Sequence, residues 1–364
     1  MTEFDIISHL EKLIDFTPII VEGDILRLIE LEDIIIESDI KEYVLRVDEP
    51  SLVPNERIIL TGPITNYYKR WPIIHVNKRN PVNLIRFNNY LFQNFDFAQK
   101  NLFAQSQIAD HIADDIEVDM IILLLIDGLS YKDWIDFPYV SSCFVDGPTI
   151  TAFGFRNIIG NPPIAYRLFN NGFKKRFGFT YWDRDNQLTD LLFFGFEPSL
   201  QLKRVSEFKE VLLGLDKLPL EQTYIQILIN GLDYICHHHR GRPPIKTIAK
   251  ELYERIFSDL VSQVQKMGAT AIIYATADHG ILWKPAPEEN ENLIVIKDDR
   301  VNTHRYAKGS FLIPNARHFT CYGKNYTSLA YPYLFKPLSR LERGVHGGIS
   351  YQESVVPFVK MEVS

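Results

Sequence analysis

Seven consecutive apolar residues, Met120 to Ile126, stop abruptly at Asp127-Gly128. The run is far too short to cross a bilayer, which takes about 20 residues. Its uniform hydrophobicity predicts a strand covered on both faces, the type found in parallel sheets between helix layers. Tyr224 to Ile229 is a second such run and Ala271 to Ala275 a third. Between them, Pro243-Pro244 opens a helix from residue 245 whose expected apolar stripe is Ile248, Leu252, Ile256, Leu260 and Val264, with Gly268 as its cap. Strand, helix and strand in this order make a βαβ unit and so a parallel sheet.

The remaining chain is consistent with a large α/β protein. It has 364 residues, 46 % hydrophobic and 23 % charged, which excludes a disordered or low-complexity chain. The net charge of −7 is wrong for a sequence-general DNA binder. Cys143, Cys236 and Cys321 stand alone, without the spacing of a disulfide framework or a cysteine-rich zinc site. They fit a reducing cytoplasm. The first residues lack the apolar stretch of a signal peptide, and no segment reads as membrane-spanning. Residues 2 to 14 have helical spacing, and Pro18–Val21, Tyr43–Val47 and Arg57–Leu60 read as short strands. They predict a small α/β unit over residues 1–112, with the main domain over 113–364. Residues 85 to 113 look helical.

Each strong strand runs into residues able to hold a metal. The first ends at Asp127, the second leads to Asp233 and His237, and the third leads to Asp278-His279-Gly280. Ligands of open parallel sheets sit beyond the carboxyl ends of the strands, so the three sets are expected to converge. A fourth set, Gly344-Val-His346-Gly-Gly348, places an imidazole among glycines in a loop. Three carboxylates and three imidazoles suit zinc, or manganese as second choice. Six ligands are more than one four-coordinate ion needs, which points to two ions sharing a substrate. A nucleophile is available in Pro148-Thr149-Ile150-Thr151, where Thr151 is expected at the N-cap of a short helix ending at Gly160. There the helix amides and dipole favour negative charge. Thr151 is preferred to Thr149 because it directly precedes the helical stretch. Ser130 and Ser350 follow only if both threonines fail.

The order Asp-Gly, Pro-Thr-x-Thr, Asp-x-x-x-His, Asp-His-Gly and His-Gly resembles the alkaline phosphatase superfamily, in particular its phosphodiesterase-type branch with a threonine nucleophile. The segment from Gly344 through His346-Gly-Gly-Ile-Ser-Tyr-Gln-Glu353 to Pro357 resembles the PglZ family, over roughly residues 118 to 364. The resemblance implies an α/β fold, with a mostly parallel sheet sandwiched by helices and a small α/β unit before it. It implies a hydrolase with two divalent ions, zinc or alternatively manganese: one among Asp127, Thr151, Asp278 and His279, the other among Asp233, His237 and His346. The first would activate Thr151 and the second would polarise the phosphate. Substrates implied are nucleotide or short, including cyclic, oligonucleotide phosphodiesters. A phage-defence complex in the cytoplasm supplies the implied protein partners, with no membrane. A phosphomonoesterase, or a structural or sensor subunit with vestigial catalysis, is the alternative.

One departure is visible. Related diesterases carry an asparagine after the nucleophile, and three positions after Thr151 stands Gly154. The role of that asparagine falls to Arg156, to backbone amides or to a distant cation, and Arg156 is taken as a substrate contact. Arg305, before Tyr306, is a second substrate contact, in a segment where the family carries Arg-Tyr. The clusters Lys174–Arg176, Arg240 with Arg242, and Arg300 with His304 and Arg305 read either as solvated surface or as a rim guiding a polyanion. His238 is the alternative to His237. Cys236 reads as a small side chain packed near the site rather than a ligand.

Overall fold

The computed structural model describes residues 83–180, 201–205, 207–238, 244–285 and 292–364, together with 10, 19–23, 25–36, 44–46, 58–61, 73–76 and 79–81. The chain divides into two compact units, residues 1–90 and 91–364. In the first, four strands form a parallel sheet in the order Val44–Arg46, Ile58–Thr61, Ile19–Gly23, Ile73–Val76. Three of these lie on the expected strands, and the fourth was not expected. The helix Ile25–Ile36 follows the Ile19–Gly23 strand and buries Leu28 and Leu31. The helix expected over 2–14 lies outside the described residues except for Leu10.

The second unit is built on seven strands: β1 Met120–Asp127, β2 Val140–Phe144, β3 Lys175–Thr180, β4 Gln201–Arg204, β5 Thr223–Asn230, β6 Ala271–Ala277 and β7 Val355–Val363. They lie in the order β2-β7-β6-β1-β5-β3-β4. From β6 to β4 every pairing is parallel, whereas β7 runs antiparallel to both β6 and β2. The three apolar runs of the sequence are therefore neighbours, with β1 between β6 and β5. All eight residues of β1 are buried. Such a strand needs cover on both faces, because unpaired apolar area in water costs about 25 cal/mol per Å². The α/β class with a mostly parallel sheet is thus present.

Helix α1 spans Thr151–Ile159, α2 Leu232–His238, α3 Ile245–Met267 and α4 Tyr351–Ser354. Gly268 ends α3 in the left-handed region, at φ +68°. The buried face of α3 is Ala249, Tyr253, Ile256, Phe257, Leu260 and Val264, rotated from the expected stripe, with Ile248 and Leu252 only half-buried. The cause is aromatic: Trp134 donates its indole N–H to Ala249 O at 2.8 Å and meets the Tyr253 and Phe257 rings edge-on. Large flat rings decide the facing over aliphatic periodicity.

Residues 91–112 belong to the second unit in this division. The Phe95 ring packs tilted against Phe144 of β2 and edge-on against Phe319. Gln105 donates to the carbonyls of Ala277 and Asp278, at 2.8 and 2.9 Å, at the end of β6. Beyond β6, a three-stranded antiparallel sheet of Tyr306–Lys308, Lys324–Leu329 and Ala316–Cys321 precedes the segment that carries His346.

Candidate active site

The register of the sheet sets the site. Ala277 pairs with Ile126 and Asp127 with Asn230, so Asp278, Asp127 and the start of α2 leave the same sheet edge side by side. Ligand atoms of Asp127, Asp278 and His279 lie within 4.8 Å of one another, and so do those of Asp233, His237 and His346. Asp233 and His237 are four apart on α2, on one helix face, with Oδ1 and Nε2 3.5 Å apart. His346 Nε2 lies at the same 3.5 Å from Asp233 Oδ1. The two groups adjoin, since the His279 and His346 rings stack at 3.9 Å.

Both stacked imidazoles are oriented from behind. Nδ1 of His279 faces the carbonyl of Gly280 and Nδ1 of His346 that of Thr149, each at 3.0 Å. A carbonyl only accepts, so each Nδ1 carries a proton and donates it. Nε2 is left as a lone pair aimed into the site, the arrangement of a metal-ligating histidine. Burial first, and then the neighbouring His346, hold the His279 imidazole down at about 3, so it is neutral at physiological pH. Burial likewise drives the Asp278 carboxyl well above the usual range. Burial also opposes ionisation of Asp233, but the imidazoles of His346 and His237 outweigh it and hold that carboxyl below the usual range.

These donors fit divalent cations. Asp278 Oδ2 and Asp233 Oδ1 are buried and receive no hydrogen bond. Buried carboxylate oxygens without a donor are costly unless a cation takes that place. The two groups differ in access: Asp278 and His279 side chains are 0 % exposed, whereas His237 is 35 % exposed.

Thr151 stands at the edge of the buried group. Its Oγ1 lies 3.1 Å from His279 Nε2, to which it donates. It is the first helical residue of α1, with Ile150 in the capping position, one residue away from the expected N-cap. The difference arises because Phe153 and Gly154 already direct their amides to Ile150 O. Gly154 explains the departure noted in the sequence. A Cβ there would lie 2.1 Å from the carbonyl oxygen of Asp278, so α1 rests directly on the chain that carries two ligands. No longer side chain fits at that position.

Residues 198–361 match the model of the BREX system PglZ alkaline phosphatase-like domain. This segment is PglZ-like. The PglZ match contains Asp233, His237, Asp278, His279 and His346, and it begins after Asp127 and Thr151. Among solved structures, an inactive variant of murine ectonucleotide pyrophosphatase/phosphodiesterase 5 in complex with AMP is similar at 11 % identity, over 65 % of this chain and 87 % of that one, with a TM-score of 0.46. Phosphonoacetate hydrolase from Sinorhizobium meliloti 1021, in complex with phosphonoformate, is similar at 15 % identity, over 66 % and 89 %, with a TM-score of 0.43. Curated protein sequences give no match. Residues 198–361 thus resemble an alkaline phosphatase-like domain, within an α/β unit built on a mostly parallel sheet. No described helix is long and apolar enough to cross a membrane.

The other residues singled out in the sequence lie as follows. Thr149 is fully buried and braces the His346 loop, with its Oγ1 donating to Gly348 O at 2.8 Å and accepting from Gly347 N at 2.9 Å. Ser130 donates to Gln352 O, and Ser350 caps α4 and donates to Glu353. Cys236 is buried outside both ligand groups, and burial pushes its thiol up, so it is not a thiolate. Arg156 lies in the last turn of α1 with its guanidinium 3.8 Å over the Tyr322 ring.

Arg305 is not available to substrate. It is fully buried, and its guanidinium grips both carboxylate oxygens of Glu353, at 3.1 and 2.6 Å, and the carbonyls of Ala330 and Tyr333. The guanidinium of so deeply buried an arginine must be paired, and here Glu353 does it. The rim reading also gives way on the described residues. Arg300 pairs with Asp298, His304 with Glu342 and Lys175 with Glu221, while Lys174 and Arg176 lie against the Phe169 ring. Arg240, Arg242 and the His238 side chain lie outside the described residues.

Sequence reasoning missed Glu353 as a structural centre. Besides Arg305 it accepts from Gly348 N at 2.9 Å and from Ser350 Oγ at 2.7 Å. The signal was present: Ser350-x-x-Glu353 is a capping-box spacing, two residues after the glycine pair.

Proposed function

We propose that this PglZ-like chain is a metal-dependent phosphodiesterase with Thr151 as nucleophile, acting on nucleotide or short oligonucleotide diesters, linear or cyclic. One observation carries the reading. A threonine hydroxyl on the first turn of a helix lies 3.1 Å from His279 Nε2, beside two adjoining groups of cation-compatible ligands. Zinc ions, or manganese in their place, held by Asp127, Asp278 and His279 and by Asp233, His237 and His346, supply positive charge for deprotonating the hydroxyl and neutralising the phosphoryl oxygens.

The residues divide the work. Thr151 Oγ gives up its proton to solvent and attacks phosphorus, and solvent returns a proton to the leaving oxygen. The new Oγ–P bond forms as the bond to the leaving alkoxide breaks. The amides of Thr151 and Ala152, at the start of α1 ahead of the first amide that bonds Ile150 O, suit a phosphoryl oxygen. Water then attacks the phosphothreonine, the Oγ–P bond breaks and Thr151 is restored. Gly154 keeps α1 seated on Asp278, and the carbonyls of Gly280 and Thr149 fix the imidazoles. The BREX description of the matching family supports a place in a cytoplasmic phage-defence complex with protein partners.

The test is hydrolysis of bis(p-nitrophenyl) phosphate and of p-nitrophenyl phosphate by zinc- and manganese-loaded protein, with Thr151→Ala as control. Diester turnover that falls by at least about 10³-fold in the variant, with metal content unchanged, is expected. Preference for the monoester would make it a phosphomonoesterase. No turnover of either by metal-loaded protein would sink the reading in favour of a binding subunit.

A further inference from the structure

The sequence motif Pro148-Thr149-Ile150-Thr151 contains two threonines, and only the second sets its hydroxyl against a ligand side chain, His279 Nε2. The first is engaged three times by a single loop. Thr149 Oγ1 accepts from Gly347 N at 2.9 Å and donates to Gly348 O at 2.8 Å, and Thr149 O receives the Nδ1 proton of His346 at 3.0 Å. Thr149 is 0 % exposed, so none of these bonds competes with water. From the other side Glu353 holds Gly348 N, and Arg305 holds Glu353. The loop is thus clamped at front and back, and the front clamp stands two residues before Thr151.

From this geometry we infer that Thr149 is a positioning residue: it ties the nucleophile segment to the loop of His346, and so forms the Asp233/His237/His346 metal group in advance of the metal. The inference rests on the two-metal reading above. Its physical basis is that His346 is the member of that group that comes from a different part of the chain. Asp233 and His237 share α2, whereas His346 reaches Asp233 from a glycine-flanked loop. Without the brace, ordering that loop would be charged against metal affinity. With it, ordering is complete before binding, and outer-shell partners of this type are commonly worth 10–100-fold in affinity. Valine in place of Thr149 keeps the shape but leaves Gly347 N–H and Gly348 C=O buried without partners. Serine restores both bonds.

The experiment measures zinc binding by calorimetry in wild type, Thr149→Val and Thr149→Ser, with cobalt absorption spectra as a second readout of coordination. Wild type is expected to bind two ions. Thr149→Val should weaken one class of site at least about 10-fold and leave the other unchanged, and Thr149→Ser should return to within about 3-fold of wild type. Equal affinities in wild type and Thr149→Val would overturn the inference while leaving the two-metal reading intact. A wild type that binds no zinc or manganese would sink that reading instead. Should Thr149→Val fail to fold, hydrogen exchange of metal-free wild type decides. Protection of the Gly347 and Gly348 amides before metal is added supports a preformed loop, and protection that appears only with metal overturns it.

Discussion

At the scale of single residues, the site is governed by close approach. Gly154 is the sharpest case, because any Cβ there would collide with the Asp278 carbonyl at 2.1 Å. Gly154→Ala must lift α1 away from β6. It is expected to cost about 1–3 kcal/mol of stability, as overpacking does, and at least about 10-fold in kcat through misplacement of Thr151. Thermal melting and steady-state kinetics would measure the two, and a variant with wild-type kcat would show that α1 is not seated as described. Asp233→Asn removes a charged ligand from the more exposed group and is expected to lower bound zinc from two equivalents to one, read by metal analysis. The convergence of Asp127, Asp278 and His279, and of Asp233, His237 and His346, was legible because these residues sit at strand ends and in a glycine loop. Arg305 was not, because a sequence motif locates an arginine without saying which way its guanidinium turns. It turned inward, to a carboxylate 48 residues further along the chain.

At the scale of elements, the glycine loop, α4 and β7 form one device. Ser350 starts α4, Glu353 ends its first turn, and β7 begins two residues later. The carboxylate of Glu353 holds Arg305, Gly348 and Ser350 together, with all four residues buried. Glu353→Gln leaves the Arg305 charge without its partner. Breaking a fully buried pair from one side costs about 3–5 kcal/mol, so the melting temperature should fall by about 6–20 °C for a unit of this size. A loss under about 1 kcal/mol would mean that Arg305 finds another partner. Strands β1, β5 and β6 and the ends of α3 could be read from the sequence because apolar runs and a Pro–Gly bracket are local signals. The facing of α3 could not, since it depends on Trp134, more than a hundred residues earlier. The reversed direction of β7 was equally hidden, because strand polarity is decided by which neighbours remain unpaired.

At the scale of the whole molecule, the proposed two-metal site would link metal and fold. A ligand at about 1,000 times its Kd adds about 4 kcal/mol to stability, so chelation should lower the melting temperature of the larger unit by about 8–16 °C. The more accessible group of Asp233, His237 and His346 should release its ion first, giving two phases of loss on titration with EDTA. A single phase would contradict the difference in access. The metal-free protein should also be acid-sensitive. His279 titrates at about 3 in the folded state because it is buried beside His346, and near 6.5 when unfolded. The unfolded chain therefore binds the extra proton first, and stability falls as pH drops from about 6.5 toward 3. Urea midpoints of apo protein between pH 7 and 4 would check the sign.

The position of β7 has a consequence for synthesis. It lies between β2 and β6, whose sequences are separated by more than a hundred residues, and it joins them only by inserting itself. Until that insertion, β2 has no place in the sheet, and the loop that delivers His346 has no anchor from Glu353. A nascent chain emerging from the ribosome can already present Asp127, Thr151 and Asp278, yet the centre stays incomplete. On the proposed function, hydrolytic competence is therefore expected only once this last strand is in place, and a chain stalled before Val355 is expected to be inert.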